Sequence, residues 1–486
     1  MPLKLRTAIY YQVKNIKPFI RLRTSRTRLA LSLIVLLVLA GCSVAPLPPL
    51  NPAPPDAWRN SRPYTAPAHP EFKQWWHAFG DPELDALVIR ALQKNLDVAE
   101  ATERLRATRI LSQRAQSPYL PALGIKTTDA VSPDTSTSYL LLGLDAQWEL
   151  PLFGAKQSAD RLAHGHEALM TGDLRTVRVS LVAEVSSRWL ELRAAQQLEA
   201  TLSAIEQVQR KKLELLLVRE HLNLTASTEI AKARAELARS TMALNAPRQT
   251  INRSAQQLAV LVGQSEPDPL WLQPGPPPKL GPWQLTSLPA DLLRTRPEIS
   301  IAEAQVLIAA GELGMSRADI YPRISLGASL QWSVNIASNR KRTRSGDSIF
   351  SAGPGISIPL FDWGQRLANA QAKDHQLQAA VLAYQQSVLQ GVAETETALG
   401  DLEQLRVYEQ SSLHALTESQ AYLAALEQRA RLGLLSELDI DDARIEKLNA
   451  QQQVARANAE RGLAYITLYK ALGGAPLPAD TLKDID

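Results

Sequence analysis

The sequence predicts a mainly α-helical chain with a smaller β component, and three observations lead to this fold class. Segments 156–222 and 365–432 contain no proline and place apolar residues three or four positions apart, as long helices do. Two shorter segments alternate apolar and polar residues with a period of two, which is typical of amphipathic strands. Several motifs also occur twice in the same order, which indicates an internal two-fold sequence repeat.

Residues 1–41 have the pattern of a secretory signal. They carry eight Lys or Arg and no Asp or Glu, and they end in an uncharged apolar run from Leu29 to Ala40 that is too short to span a bilayer. The sequence Leu39-Ala40-Gly41-Cys42 resembles a bacterial lipobox, which implies cleavage before Cys42 and attachment of diacylglycerol and an N-acyl chain to it. Ser43, rather than Asp, implies transfer to the outer membrane. A buried structural cysteine or a plain signal anchor is the alternative.

Removing this signal changes the charge of the chain. The formal net charge of +4 becomes −4 once the eight positive charges of residues 1–41 are lost, so no nucleic-acid partner is expected. The single cysteine excludes an intramolecular disulfide framework. The proline-rich stretch 45–55 predicts an extended spacer, and we assign 42–80 to a lipidated N-terminus and linker.

The internal repeat divides the rest of the chain. Pro121 and Pro322 lie in similar motifs 201 residues apart, Pro151 and Pro359 lie 208 apart, and the segments that begin at Asn223 and Gly433 lie 210 apart. We therefore predict a first repeat, a linker or equatorial segment, a second repeat and a C-terminal tail. Their boundaries are 81–263, 264–290, 291–474 and 475–486.

Each repeat is predicted to contain one β-hairpin, at 119–150 and at 320–361. One face of the alternating segments is apolar with Trp near its margins, which suits lipid, and the other is small or hydrophilic, which suits a wetted lumen. A soluble sheet shows the same alternation. Four strands do not close a membrane barrel, and open edges are not tolerated in hydrocarbon, so strands placed in a membrane require oligomerisation.

A long helical hairpin is predicted to follow each β-hairpin. The apolar spacing over 156–222 and 365–432 favours coiled-coil packing, with an ordinary helical-bundle core as the alternative. Each helix would be roughly 100 Å long at 1.5 Å per residue. Return helices of about forty residues are expected from Thr225 to Val262 and from Ser436 to Leu472.

Five ordered motifs give the chain a family resemblance. They are Trp75 to Leu84 (WWHAFGDPEL), Leu288 to Ile299 (LPADLLRTRPEI), Ala302 to Gln305 (AEAQ), Tyr321 to Ile324 (YPRI) and Pro359 to Phe361 (PLF). In these motifs the chain resembles TolC-type outer-membrane efflux channels, in the NodT branch of RND efflux outer-membrane lipoproteins. The proline of Arg296-Pro297-Glu298 has no counterpart at Asn95-Leu96-Asp97, so we expect a looser helix start there.

The resemblance implies a fold, a location and partners. Three protomers would each supply four strands to one β-barrel in the outer membrane and long coiled-coil helices to one α-barrel across the periplasm. The protein would be a lipid-anchored homotrimer in the outer membrane that works with a periplasmic membrane-fusion adaptor and an inner-membrane RND-type pump. The resemblance also implies that the protein is a passive exit duct for drugs or other small toxic compounds, with an iris-like periplasmic gate.

The resemblance also places this gate at the tips of the helical hairpins. Asp439 and Asp442 match two acidic residues that ring the periplasmic entrance, and Thr228 and Glu229 match a polar pair on the neighbouring hairpin. Six carboxylates from three protomers would repel one another and favour cations. The family's tyrosine and arginine lock is replaced by Ala430 and Leu435, so we expect a different lock, built through Arg429 or Arg431.

The alternative for the tips is helix capping. Gly433 and Asn223 suit left-handed helix stops, and Ser436 with Asp439 resembles a capping box. The exposed turns are the predicted adaptor-docking tips. They comprise Asn223, Leu224, Thr225, Gly433, Leu434 and Ser436.

No enzyme signature, metal-ligand spacing or cofactor motif is present, so we expect no catalysis and no cofactor beyond the lipid on Cys42. A type I protein-secretion channel is the alternative within the same class, and a lipid-anchored periplasmic coiled-coil scaffold without a pore is the alternative from another class. The basic segment 340–344 is expected to be a solvated turn, with lipopolysaccharide phosphates as its alternative partner.

Overall fold

The computed structural model describes residues 47–50, 58–60, 72–130, 139–281, 295–335 and 348–474. The predicted signal 1–41, the lipidation site Cys42, the basic segment 340–344 and the tail 475–486 lie outside the described residues. The described chain is mainly helical with four strands, as predicted. No helix among these residues is both long enough and apolar enough to cross a membrane.

The helices and strands are numbered here in chain order. They are α1 (Pro82–Lys94), α2 (Leu96–Ser112), β1 (Ala122–Ala130), β2 (Tyr139–Glu149), α3 (Ala155–His221), α4 (Ser227–Ala243), α5 (Asn245–Leu261), α6 (Pro297–Ala318), β3 (Arg323–Asn335), β4 (Ser348–Ser357), α7 (Gln365–Arg431) and α8 (Glu437–Ala471). Short 3-10 segments occupy Phe72–Phe79 and Ser117–Tyr119. The chain forms two compact units, one with the sheet and the other with most of the helical residues.

The sheet unit contains one antiparallel sheet in the order β1-β2-β3-β4. Residues directly opposite one another lie on the same face, and the register places Leu144 opposite Leu330, which in turn lies opposite Phe350. On the other face Asp145 lies opposite Ser329, which lies opposite Ser351. One face is therefore apolar, and the other is mostly small or polar.

The two strand-to-helix turns share an unusual backbone. Phe153 and Gly154 have φ values of +54° and +78°, and Trp363 and Gly364 have φ values of +56° and +79°. Left-handed φ is uncommon for large side chains. By backbone conformation Phe153 corresponds to Trp363, which lies 210 residues later. The sequence motif instead aligns Phe153 with Phe361. The two alignments differ because the second turn contains two additional residues before its glycine.

Two helix boundaries differ from the sequence expectations. The Asn95 side chain accepts hydrogen bonds from the backbone N–H groups of Asp97 (2.9 Å) and Val98 (3.1 Å), so α2 begins with an N-cap and its start is not loosened by the missing proline. The first return helix is not continuous, because α4 ends at Ala243 and α5 begins at Asn245. Pro247 lies in the first turn of α5, where its lack of an N–H is tolerated.

The core of the helical unit lies around the Trp75-Trp76 motif. Trp75 is fully buried, its Nε1 donates to the carbonyl of Gly474 (2.8 Å), and its backbone carbonyl accepts from the Tyr465 hydroxyl (3.2 Å). Burial raises the pKa of Tyr465. Apolar residues of α3 that lie three, four or seven positions apart belong to the same core: Leu174, Leu181, Val185, Trp189 and Leu192.

A buried arginine joins the segment after α5 to this core. The Arg193 side chain is 6% exposed, pairs with Glu83 (2.7 Å) and lies over the Trp189 ring (4.3 Å). Its Nη1 also donates to the carbonyl of Gln273 (2.8 Å). The segment around Gln273 is therefore held against α3 by a hydrogen bond from a buried arginine as well as by apolar contacts.

Candidate functional site

The first helical hairpin turns at a left-handed residue, as its sequence predicts. Asn223 has φ +54°, its N–H donates to the carbonyl of Glu220 (2.8 Å), and the N–H of Leu224 donates to the carbonyl of Arg219 (2.8 Å). These bonds close the last turn of α3 in a Schellman arrangement. Leu222 and Leu224 are left 62% and 63% exposed at the tip.

The second hairpin repeats this geometry. Gly433 has φ +75°, its N–H donates to the carbonyl of Ala430 (2.8 Å), and the N–H of Leu434 donates to the carbonyl of Arg429 (3.1 Å). Leu432 and Leu434 are 70% and 64% exposed. Each tip therefore presents two exposed leucines on a hydrogen-bonded turn, although leucine side chains are more often buried in protein interiors.

A small apolar cluster supports each tip. Leu216, Ile230 and Ala233 form the cluster of the first hairpin. The cluster of the second hairpin contains the residues 210 positions later: Leu426, Ile440 and Ala443. Leu438, at the start of α8, packs against the first cluster, so the second hairpin is joined to the first by an apolar contact.

Asp439 caps its own helix. Its carboxylate accepts hydrogen bonds from the backbone N–H (3.0 Å) and the hydroxyl (2.7 Å) of Ser436, and these two bonds hold the pKa of Asp439 below its ordinary value. The capping interpretation of Asp439 is therefore present in the structure. A capping carboxylate keeps its negative charge, so capping and a role at the pore entrance are compatible.

Asp442 is paired with a lysine of the first hairpin. The Lys212 ammonium lies 2.6 Å from Asp442 Oδ1 and 4.0 Å from Glu236. The Lys212 side chain is 17% exposed, whereas that of Asp442 is 69% exposed. In this conformation the charge of Asp442 is balanced across the two hairpins by a cation that is itself largely shielded from water.

A second cross-hairpin pair lies beside it. Lys211 lies 3.0 Å from Glu437, and this hydrogen bond lowers the pKa of the Glu437 carboxyl. Glu437 also lies 3.4 Å from Arg444, which bonds the fully buried Asp441 at 2.9 Å. Two adjacent lysines of α3 therefore tie the first turns of α8 to the first hairpin.

Sequence reasoning missed these lysines. It expected the tie through Arg429 or Arg431, and among the described residues neither side chain forms an ion pair; Arg429 contributes its backbone carbonyl to the turn instead. Lys211 and Lys212 lie in a run of charged residues that resembles a solvated helix face. Lys211 and Lys212 lie 12 and 11 residues before Asn223, whereas their partners Glu437 and Asp442 lie 4 and 9 residues after Gly433, so no common spacing marks these pairs in the sequence.

The polar pair of the first hairpin is exposed. Thr228 and Glu229 lie in the first turn of α4, where the negative charge of Glu229 is favourable to the helix dipole. No hydrogen bond or ion pair joins this pair to Asp439 or Asp442 within the described part of the chain. The same part contains no cluster of His, Cys, Asp and Glu suited to holding a metal.

Comparison with known proteins places this arrangement among characterised folds. The family model described as "Outer membrane efflux protein" matches residues 87–264 and 288–474. The pyoverdine export outer membrane protein OpmQ of Pseudomonas aeruginosa is 27% identical over 458 residues, which cover 90% of this chain and 95% of that protein. The solvent efflux pump outer membrane protein SrpC of Pseudomonas putida is 28% identical and covers 92% of this chain and 98% of its own length.

Two further comparisons extend the match. Nodulation protein T of Rhizobium leguminosarum bv. viciae is 26% identical, with 91% of each chain covered. The solved structure of the outer-membrane channel OprN superposes with a TM-score of 0.77 at 27% identity and covers 89% of this chain and 99% of that one. The match to a solved channel therefore extends over most of the chain and includes both halves.

Proposed function

Because this chain belongs to the outer membrane efflux protein family, we propose that it is the passive, trimeric exit duct of a tripartite efflux system for drugs or other small toxic compounds. The resemblance inferred from the motifs to TolC-type channels of the NodT branch is confirmed by the family match and the relatives. Its partners are a periplasmic membrane-fusion adaptor and an inner-membrane RND-type pump. The observation that carries the proposal is a sheet with one apolar and one mostly polar face in a chain with two long helical hairpins.

The edges of the sheet support oligomerisation. Among the described strands β1 and β4 each pair with one neighbour only, so each has an open edge. An open edge in hydrocarbon leaves backbone groups without hydrogen bonds. Three copies would close the edges by pairing β4 of one copy with β1 of the next, with the apolar face toward lipid and the face of Asp145 and Ser329 toward water.

An internal duplication accounts for the plan of each protomer. The positive-φ turns, the hairpin stops and the tip clusters recur 210 residues apart, which supports repeats at 81–263 and 291–474. The intervening 264–290 would form the equatorial segment, and 475–486 the tail. Two similar hairpins per protomer would give a near-regular ring of six hairpins in a trimer.

The periplasmic gate is assigned to Asp439 and Asp442, with Thr228 and Glu229 on the neighbouring hairpin. Lys211 and Lys212, with the apolar contact of Leu438, would form the lock that holds the two hairpins together. Since Lys212 balances Asp442 in the conformation described, breaking this pair would both free the hairpin and expose a carboxylate to the pore. Opening would therefore increase the attraction of the entrance for cations.

The tips are assigned to adaptor docking. Asn223, Leu224 and Thr225 form one tip, and Gly433, Leu434 and Ser436 form the other. The exposed leucines provide an apolar centre on a rigid turn, which reduces the ordering entropy lost on binding. The mature chain would be held in the outer membrane by the acyl groups on Cys42 and would extend into the periplasm.

The direct test is reconstitution of the purified mature protein. We expect a heat-resistant trimer on gels and discrete single-channel steps in planar bilayers. The same preparation after full heat denaturation is the matched control and should show neither. Trimers without conductance would instead support the periplasmic scaffold, and secretion of a polypeptide with an ATP-driven exporter would support the type I channel.

A further inference from the structure

Residues 58–60, which lie in the predicted N-terminal linker, are held against α7 by hydrogen bonds. Arg59 donates its backbone N–H to Glu396 Oε1 (2.6 Å), and Asn60 donates its backbone N–H to Glu396 Oε2 (3.1 Å). The Asn60 side-chain amide also donates to the carbonyl of Glu396 (2.9 Å). One carboxylate on α7 thus binds two successive backbone amides of the N-terminal segment.

Neighbouring residues strengthen this contact. Trp58 is 5% exposed and belongs to the main core, together with Ala398 and Leu399 of α7. Gly400 lies one turn beyond Glu396, and a Cβ there would come within 3.2 Å of the Asn60 side chain. The absence of a side chain at Gly400 therefore leaves room for the N-terminal segment to approach the helix.

A second contact lies further toward the N-terminus. Leu50 packs against a separate buried cluster that contains Ile299, Tyr384 and Val388. The described N-terminal residues thus dock at two places, against the cluster formed by α6 and α7 and against Glu396 of α7. Proline-rich chain is suited to such docking because it loses little conformational entropy when it is held extended.

We propose that the described residues 47–50 and 58–60 belong to a docked strap whose receptor is Glu396, and that this strap sets how far the lipid anchor can lie from α7. The consequence for distance rests on the proposed lipidation of Cys42. A linker free from Cys42 to Phe72 would reach roughly 100 Å, whereas a chain held at Leu50 leaves eight residues and a reach of about 26 Å. The strap therefore shortens the chain that connects the lipid anchor to the helical unit.

Trypsin provides a specific probe of the strap. Between Cys42 and Phe72 the only Lys or Arg residues are Arg59 and Arg62, and Arg62 is followed by Pro63, which blocks trypsin. The bond after Arg59 is therefore the single trypsin site of this segment, and its two flanking N–H groups are those bound by Glu396. Cleavage there separates the lipidated peptide from the rest of the protein.

The experiment measures this cleavage in the purified, lipidated full-length mature protein in detergent. Glu396→Ala should raise the cleavage rate after Arg59 by about tenfold or more, because hydrogen bonds to a charged acceptor are the stronger kind. Glu396→Gln, which retains one acceptor oxygen, should have an intermediate effect. Thr397→Ala is the matched control, since its hydroxyl bonds only the carbonyl of Ala393 within its own helix, and should cleave like the parent.

A disulfide distinguishes loss of the strap from loss of the fold. Asn60→Cys with Gly400→Cys, added to Glu396→Ala, should restore protection under oxidising conditions and lose it on reduction. Equal cleavage of the parent and Glu396→Ala, or no rescue by a disulfide shown to have formed, would overturn the proposal. Mass measurement of the N-terminal peptide tests lipidation separately, so that failure of the anchor and failure of the strap are distinguishable.

Discussion

The ammonium of Lys212 lies 2.6 Å from Asp442 Oδ1 and joins the first helical hairpin to the second. The two residues are 230 positions apart in the chain. Lys212 is shielded, Asp442 is exposed, and the adjacent Lys211 forms a parallel pair with Glu437. Asp442, which is expected at a pore entrance, is therefore paired with a lysine that balances its charge.

Removing Lys212 should loosen the closed tip. We expect Lys212→Met to shift the closed-to-open equilibrium by roughly two- to fivefold, since a partly exposed ion pair is worth up to about 1 kcal/mol. Single-channel open probability in planar bilayers measures the shift. Lys232→Met is the control, because Lys232 is 77% exposed and pairs only with Glu236 of its own helix. Equal open probabilities in the two variants would argue against the lock.

The Asp439 side chain allows capping and gating to be separated. Asp439→Asn keeps an oxygen that accepts from Ser436 but removes the charge, whereas Asp439→Ala removes both. If the charge serves the pore, both variants should reduce cation selectivity, measured as the reversal potential in a salt gradient. Thermal stability should fall in both variants, and further in Asp439→Ala, because Asn loses only the charge whereas Ala also loses the hydrogen bonds with Ser436. Unaltered selectivity in Asp439→Asn would leave capping as the sole role.

Acid should weaken the tip in a defined pH range. The pKa values of Glu437 and Asp439 are lowered from their ordinary values of 4.5 and 3.8, so these carboxylates stabilise the folded tip at neutral pH and lose that contribution as pH falls through their lowered pKa values. We therefore expect open probability to be flat from pH 7 to about 5 and to rise below about pH 4. In Glu437→Gln with Asp439→Asn this rise should be smaller. An identical acid response in parent and variant would contradict the assignment.

The exposed leucines of the tips should be required for partner binding. Leu224→Ser with Leu434→Ser should weaken binding of the periplasmic adaptor by about tenfold or more, because truncated anchor residues at an interface typically lose over 1 kcal/mol. Co-purification or biosensor titration with the adaptor measures the loss. Leu413→Ser is the matched control, since Leu413 is also exposed (46%) but lies within α7, away from the tip. Similar affinities for the two variants would place docking elsewhere.

Local sequence rules were sufficient to predict the faces of the strands and the stops of the long helices. The period-two alternation around Leu144 and Leu330 predicted the apolar face that the strand register displays, because neighbouring strands hold opposite residues on the same face. Gly433 and Asn223 were recognisable as helix stops because few residues adopt left-handed φ at low energy. The cap of Asn95 was overlooked because the motif comparison looked for a proline rather than for an alternative cap.

Long-range contacts could not be predicted in the same way. The Lys212–Asp442 pair and the Glu396 strap join residues separated by hundreds of positions, and no periodicity marks charged residues that meet only after the helices pack. Lysines on a helix face are usually solvated, so their pattern alone gives no partner. The break between α4 and α5, by contrast, has a local signal, because Pro247 lies in the first turn of α5.

The amino-acid sequence by itself determined the amphipathic strands, the long helices, the hairpin stops and the family. These features depend on local backbone preferences and on apolar periodicity, which are encoded within a few neighbouring residues. Only the tertiary structure decided which charges pair across the hairpins and where the N-terminal segment lies. Such choices depend on the distance between side chains of remote elements, and an electrostatic or hydrogen-bonded contact forms only when packing brings its two groups within about 3 Å.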